Sequence, residues 1–400
     1  MSIVVERYPR AFWFLVTVNI IGWAGRIVSP FLTLYLSSQL NFSAATIGII
    51  FSFYGFGGIL SVVTAGILSD RFGPKWVLIS SLVSTGIVSL TFTIVSEVIV
   101  IGLLTFAFGF ATQAMVPAYH SLISFNSPIS RMRKSFSIST IAGNLGFAIG
   151  PIIAGILAGI DFKYIFYLEA SLVTVATLIT LTMIPNPEKQ IHLGQGTGWG
   201  FFSSLNLVFK DKIFLKFTLA TIFYIALYKQ IQTTMPLVME QQGLGSDLYG
   251  FILTFNGSVV VLTQLLADRW TKTMTPGTVV ALGAFITAIG FGVQIFAHDA
   301  LSYILACLVW TIGELFHFSI SNSIAAALAP PGYRGRYLGV FSTFYGVANI
   351  FGPTAGAFIF GALGSTGLWT ICLVLGMLLT LFRWNSRKEI QNRMIALGRG

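Results

Sequence analysis

The stretch that decides the fold is AGILSDRFGPKWVL, residues 65–78. An apolar run stops at an Asp-Arg pair, the chain turns through Gly-Pro-Lys, and a second apolar run begins at once. Gly73 and Pro74 permit a very short turn, so two long apolar helices meet here at one polar corner. A weaker copy, LLADRWTKTM, lies at 265–274. A chain that gathers its charges into such knots keeps them out of the long stretches between.

Composition says what those stretches are for. Of the 400 residues 55% are hydrophobic and only 9% charged, against about 25% charged in a soluble domain. That is too little polar surface to cover a water-facing globule. A spanning helix needs about 20 apolar residues, and such runs recur along the whole chain, which reads as an all-α integral membrane protein. The first run, 12–36, is longer than the core of a signal peptide and has no small-residue cleavage site after it. Preceded by Arg7 and Arg10, it reads as a retained span. Cys307 and Cys372 fall inside apolar runs and read as packing residues.

Apolar runs bounded by charges and Gly/Pro turns give twelve candidate spans. Six fall in the first half, at 12–36, 46–69, 76–95, 98–125, 136–159 and 162–184. Six fall in the second, at 213–238, 248–267, 277–297, 300–326, 337–361 and 366–384. Twelve spans put both termini on one side. Of the 23 Lys and Arg residues, 20 fall on that side, Lys163 on the other, and Arg26 and Lys229 within spans. The positive-inside rule then places both termini in the cytoplasm, and the expected location is the cell's inner (plasma) membrane. The net charge of +10 is a topology signal with anionic lipid as its partner, and nucleic acid is set aside. We expect an N-terminal six-helix bundle over 1–184, a polar cytoplasmic linker over 185–212, and a C-terminal six-helix bundle with a short cytoplasmic tail over 213–400. GWGFFSSLNLVF, 198–209, is expected to form a short helix along the membrane surface.

The two halves repeat. Asp70-Arg71 corresponds to Asp268-Arg269, RMRKSFS (131–137) to RGRYLGV (334–340), and GFAIGPIIAG (146–155) to ANIFGPTAGA (348–357). Three matches in one order at offsets of 198 to 203 imply two pseudo-symmetric six-helix bundles related by an axis along the membrane normal, with a solute path between them.

These motifs carry a resemblance. GILSDRFGPK resembles the signature loop between spans two and three of the major facilitator superfamily, Gly-x-x-x-Asp-Arg-x-Gly-x-Lys/Arg. GFAIGPIIAG resembles the span-five signature of its antiporter branches, with Ala154 replacing a glycine. GELFHFSISNSIAAALAPPGYRGRYLG, from Gly313, resembles the bacterial multidrug:proton antiporter group. Those antiporters carry an arginine in span four, four residues before a glycine; here the glycine is Gly109 and Thr105 stands where the arginine would. The resemblance implies that Asp70, Arg71, Gly73 and Lys75, with the weaker Asp268 and Arg269, form a conformational latch in which Asp70 faces the start of span eleven; a carboxylate near a helix N-terminus is favoured by about 0.3–1 kcal/mol. Gly146, Gly150 and Pro151 are expected to let helices approach closely and to bend span five.

Charges inside spans are expensive and are functional candidates. The reading finds four, Arg26, Glu169, Lys229 and Glu314. The resemblance implies that spans one, four, seven and ten line the central cavity, so Arg26, Lys229 and Glu314 are expected to face it. Glu169, on span six, is expected to brace a neighbour, with a proton role as the alternative. Glu314, His317 and Ser321 share one helical face, and a carboxylate beside an imidazole suits a proton site. Asn19, Gln113, Tyr228, Gln232 and Trp310 complete the expected solute cavity. The sequence holds no phosphate-binding Gly-rich Lys-Ser/Thr loop, no His-Glu-x-x-His and no paired metal-binding cysteines, so an enzyme is not expected. The expected function is a monomeric secondary transporter without cofactor. It exports a small, amphipathic solute or drug in exchange for protons, with the proton gradient as energy source. A different cargo (sugar, organic acid, siderophore or lipid) is the alternative within transport; a channel or a non-transporting membrane receptor is the rival class.

Overall fold

The quoted corner is a turn between two long helices, α3 (Ala44–Phe72) and α4 (Pro74–Phe92). Gly73 adopts φ 88°, a conformation that L side chains rarely adopt. Pro74 opens α4 at its first turn, where its missing N–H costs nothing. Lys75 is buried, and its Nζ donates to Leu181 O at 2.9 Å and Ile184 O at 2.7 Å. It thereby satisfies carbonyls that the end of α7 (Lys163–Met183) leaves open. The computed structural model describes residues 8–186, 208–271 and 273–398, apart from the side chains of Val62, Val63, Ile129, Arg133, Leu265 and Asp268. Most of the expected surface helix and most of the expected linker lie outside the described residues.

The remaining elements run in chain order. The first span is α1 (Arg10–Ala24), a turn, α2 (Val28–Leu34) and a π-helix, Tyr35–Gln39. Then come α5 (Val98–Phe125), a 3-10 turn at Ile129–Arg131, α6 (Met132–Ile160) and α7. The seventh span is α8 (Lys212–Tyr228), α9 (Gln230–Thr233) and α10 (Met235–Gln241), followed by α11 (Ser246–Thr271), α12 (Pro276–Gln294), α13 (Ala300–Leu328) and α14 (Arg334–Ala396). Eleven of these stretches among the described residues are long and apolar enough to cross a membrane. The last holds two spans, because the 63-residue α14 is interrupted at Gly364, φ 67°. Counted so, the described chain has twelve spans.

Contact density divides the chain into two compact units, one of residues 1–42, 49–191 and 245–261, the other of 43–48, 192–244 and 262–400. In the first, α1 packs on α6 and α7, and α4 on α5 and α7. Its core joins Phe12, Leu15, Leu78, Leu82, Leu122 and Ile123. In the second, α12 packs on α13 and α14, and α8 on α14, around Phe214, Phe217, Tyr337 and Phe341. The outward side chains are themselves apolar: Ile67, Ile87, Phe223 and Phe351 are all more than half exposed. A water-soluble chain does not present so much apolar surface; a lipid-embedded one must.

The structure adds detail at two places. The expected tail after residue 384 is helical through Ala396 and docked: Glu389 pairs with Lys216 at 2.9 Å, and Arg393 approaches Asp211 at 3.6 Å. Asp211 also caps α8 through Phe214 N and accepts from Tyr337. Arg383, counted among the flanking cations, is only 3% exposed. The apolar run ends near it, but the helix does not, so its side chain turns back into the packed unit.

Candidate functional site

In the first unit the site grows from the interruption of the first span. α1 ends at Ala24, and backbone bonds from Gly25 N to Ile21 O, Arg26 N to Trp23 O and Ile27 N to Gly25 O turn the chain before α2 resumes. The first N–H groups of any helix lack an intrahelical partner. Glu169, fully buried on α7, supplies one: its Oε2 accepts from Val28 N at 2.9 Å. Its Oε1 has no partner among the described residues. Gly146 and Gly150 on α6 press against α1 here; a methyl on Gly146 would meet the backbone of Ile20 and Ala24, and one on Gly150 the Ala24 carbonyl and Ile27. Pro151 follows inside α6.

Arg26 leaves this turn with its guanidinium 4.5 Å from the Trp23 ring centroid, donating through Nη2 to Thr112 O on α5. It borders a cavity of about 160 Å³ also lined by Asn19, Trp23, Met115, His120, Ser139 and Asn144. Asn19 is fixed by donation from Nδ2 to Ser139 O at 2.7 Å, and Ser139 Oγ bonds the Tyr119 hydroxyl. Gln113 is partly buried beside Gly58 and does not line this cavity. Thr105 is buried and bonds Ile101 O within its own helix.

In the second unit the sequence candidates gather around aromatic rings. Tyr228 shares a side-chain hydrogen bond with Glu314, and Tyr224 and Tyr345 are also electrostatic neighbours of that carboxyl. Tyr228 meets Trp310 and Phe318 edge-on, at centroid distances of 5.9 and 5.4 Å. Lys229 donates to Gln232 Oε1 at 2.9 Å. His317 stacks on Tyr224 at 3.6 Å and faces Arg383, whose Nη1 lies 2.8 Å from His317 Nδ1. A guanidinium can only donate, so Nδ1 accepts and the ring proton sits on Nε2, toward Ser321 Oγ at 3.4 Å. Arg383 also donates to Val280 O and Ala220 O, so it ties together three other helices.

Of the corner residues, Asp70 is exposed and Arg71 lies over the Phe72 ring at 5.2 Å. Arg269 is exposed in the last turn of α11, and the side chain of Asp268 lies outside the described residues. Sequence reading missed Arg383, Thr112, Trp23 and the turn at Gly25. One signal was within reach: Arg26 and Lys229 are 203 residues apart, within one residue of the offset that relates Gly150 to Gly352.

Comparison with known proteins agrees with this architecture. An uncharacterized MFS-type transporter of Bacillus subtilis, YqjV, is 25% identical over 88% of this chain and 87% of its own. The multidrug resistance protein MdtH of Aeromonas hydrophila is 24% identical over 84% of each chain. A Na(+), Li(+), K(+)/H(+) antiporter of Planococcus maritimus is 22% identical over 82% and 84%. Among solved structures, the nucleoside transporter NupG superposes with TM-score 0.77 at 18% identity, covering 94% of this chain and 98% of that one. A D-xylose-proton symporter does so with TM-score 0.74 at 16% identity over 94% and 96%. The Major Facilitator Superfamily model matches residues 12–353, and the chain belongs to that superfamily: it is a multi-pass membrane transporter of small molecules and not an enzyme.

Proposed function

We propose that the protein exports a small, amphipathic solute in exchange for protons by alternating access, and that Glu314 carries the coupling proton. The observation behind this reading is the environment of Glu314. Its carboxyl lies on a membrane span among tyrosine hydroxyls, while the span's nearest candidate cation in sequence terms, Lys229, ends on Gln232. A carboxyl that shares a hydrogen bond with a tyrosine hydroxyl on a membrane span is suited to take and release a proton, since a permanent charge there is costly. The names of relatives lean the same way, with a cation/H(+) antiporter and multidrug resistance proteins among them. Tyr228, Trp310 and Phe318 offer aromatic faces for the apolar part of the solute.

In this reading His317, committed to Arg383, positions the proton site, and Glu169 braces the first span. Asp70, Arg71, Gly73 and Lys75, with Asp268 and Arg269, act as the latch between access states. The protein works as a monomer in the plasma membrane with both termini cytoplasmic, and anionic lipid meets its basic flanks. The test is solute flux in proteoliposomes with and without an imposed pH difference. Glu314→Gln, a mimic of the protonated form, should still exchange solute down its gradient and lose accumulation driven by the pH difference. A Gln variant that responds to the pH difference as wild type does removes Glu314 from the mechanism.

A further inference from the structure

We propose that the cavity of the first unit holds the carboxylate of a small, partly apolar organic anion, with Arg26 as its partner. The assignment rests on the transport reading for calling that anion cargo. The cavity, about 160 Å³, has the scale at which a protein void accepts a benzene-sized molecule (about 150 Å³). Its charge is one-sided. The lining contains Arg26 and His120 and no carboxylate. The buried acid Glu169 is an electrostatic neighbour of Arg26 but lies outside the lining, with Oε2 accepting from Val28 N, and the ion pairs found among the described residues are Lys216–Glu389 and Arg393–Asp211.

A cation on a membrane span costs free energy unless an anion meets it. Arg26 is also built to receive one. The Trp23 ring and the Thr112 carbonyl hold the guanidinium in place, so little motion is lost on binding, and its Nε is buried without a partner among the described residues. A planar guanidinium with donors to spare matches a carboxylate in geometry as well as in charge. Val18, Leu78, Met115 and Val116 complete the wall on which an apolar body can rest, and the thioether of Met115 adapts to its outline. A cationic solute of the same shape would meet only repulsion from Arg26.

The experiment is calorimetric titration of the purified full-length protein with three molecules of one shape: benzoate, benzamide and benzamidine, each up to about ten millimolar. Benzoate is expected to bind, benzamide more weakly, and benzamidine not at all. Arg26→Gln should weaken benzoate tenfold or more, as expected for loss of a hydrogen bond to a charged group, and leave benzamide unchanged. Arg26→Lys should recover part of the loss. Should Arg26→Gln not fold, Thr140→Trp serves as the second variant. Thr140 lines the cavity at an exposed position, and the indole should block benzoate with Arg26 untouched. Benzamidine binding at least as tightly as benzoate, no binding of any of the three, or equal benzoate affinity in wild type and variants would overturn the proposal. Its failure is distinct from failure of the transport reading. Benzoate binding by a protein whose flux ignores a pH difference sinks proton exchange alone, and pH-driven flux in a protein blind to benzoate sinks the anion site alone.

Discussion

The first and seventh spans are interrupted at matching places, at Arg26 and at Lys229, and the two halves of the molecule treat the interruption differently. At Arg26 the helical ladder is lost: the chain turns through Gly25–Ile27, and a carboxylate from another helix must satisfy Val28 N. At Lys229 the ladder persists, with Lys229 N on Ile225 O, Thr233 N on Lys229 O and Thr234 N on Gln230 O. The side chain of Gln230 reinforces it by donating to Ala226 O and Gly352 O and accepting from Thr234. The acids follow suit. At the 202-residue offset that relates Pro74 to Pro276 and Gly150 to Gly352, position 169 has its repeat counterpart at the apolar Ile371, whereas Glu314 stands opposite Thr112, the residue that receives Arg26. Each half thus keeps one cation at its interruption and one acid within the membrane, but the acid has changed helix. In the first half it accepts from a backbone N–H near Arg26; in the second it shares a hydrogen bond with the Tyr228 hydroxyl. A duplicated scaffold can in this way give one copy a fixed binding charge and the other a titratable one.

The largest effect should come from removing the brace. Glu169→Ala withdraws a charge-assisted acceptor from a buried N–H and leaves a cavity, at a cost of about 3 kcal/mol. Glu169→Gln keeps an acceptor and should cost about 1 kcal/mol. Cys372→Ala, one residue past the counterpart position, removes a buried thiol that bonds no backbone donor among the described residues and should cost about 1 kcal/mol through lost packing. Thermal unfolding of the purified proteins ranks the three. If Glu169→Ala unfolds with Cys372→Ala, the two interruptions are equivalent and the contrast drawn above fails.

How much of this was legible beforehand follows from which groups the sequence displays. Twelve apolar runs were readable because the bilayer sets a length that composition must meet, and the Gly73-Pro74 turn because only those residues suit it. The repeat motifs were readable because a glycine that touches another helix cannot be replaced freely. Val28 N was invisible, since a backbone N–H has no letter, and with it the bracing geometry of Glu169. Arg383 was misplaced for a related reason. Hydropathy sees where apolar residues stop, but burial of a guanidinium depends on carbonyls from α8 and α12 that only the fold brings together. The cavity beside Arg26 depends on four helices at once, so spacing along any one of them could suggest Asn19 and Arg26 but not enclose them.

A smaller effect separates the two glycines that receive the interrupted spans. Gly150 and Gly352 hold the same repeat position, each followed by proline. A methyl on Gly150 would press on the Ala24 carbonyl and lie 3.0 Å from Ile27 Cγ2, at the turn itself. A methyl on Gly352 would lie 2.9 Å from Ala226 Cα and 3.1 Å from its carbonyl, on a helix whose ladder is intact. Overpacking of this kind costs about 1–3 kcal/mol. Gly150→Ala should sit at the upper end and also weaken benzoate binding, because the turn it displaces carries Arg26. Gly352→Ala should sit at the lower end. Equal losses, or a benzoate affinity untouched by Gly150→Ala, would mean that the turn moves as freely as the helix.

The smallest effect is expected at Lys229. Its ammonium makes a hydrogen bond to Gln232, three residues along its own chain, and none to a second helix among the described residues. Holding a cation on a span is costly in itself, and exchanging buried charge for an apolar side chain of similar length is often neutral or stabilising by about 1–4 kcal/mol. Lys229→Met should therefore leave the unfolding temperature unchanged or raise it. Arg26→Met, at the matching position, gives up the Trp23 stack and the Thr112 bond and should lower it by the equivalent of about 1–3 kcal/mol. Solute preference tests the same contrast from the side of function: the arginine variant should lose anionic ligands, and the lysine variant should keep them. A Lys229→Met protein as destabilised as Arg26→Met would show that the ammonium holds the seventh span together as the guanidinium holds the first. The division of labour between a binding half and a titrating half would then have no support in stability.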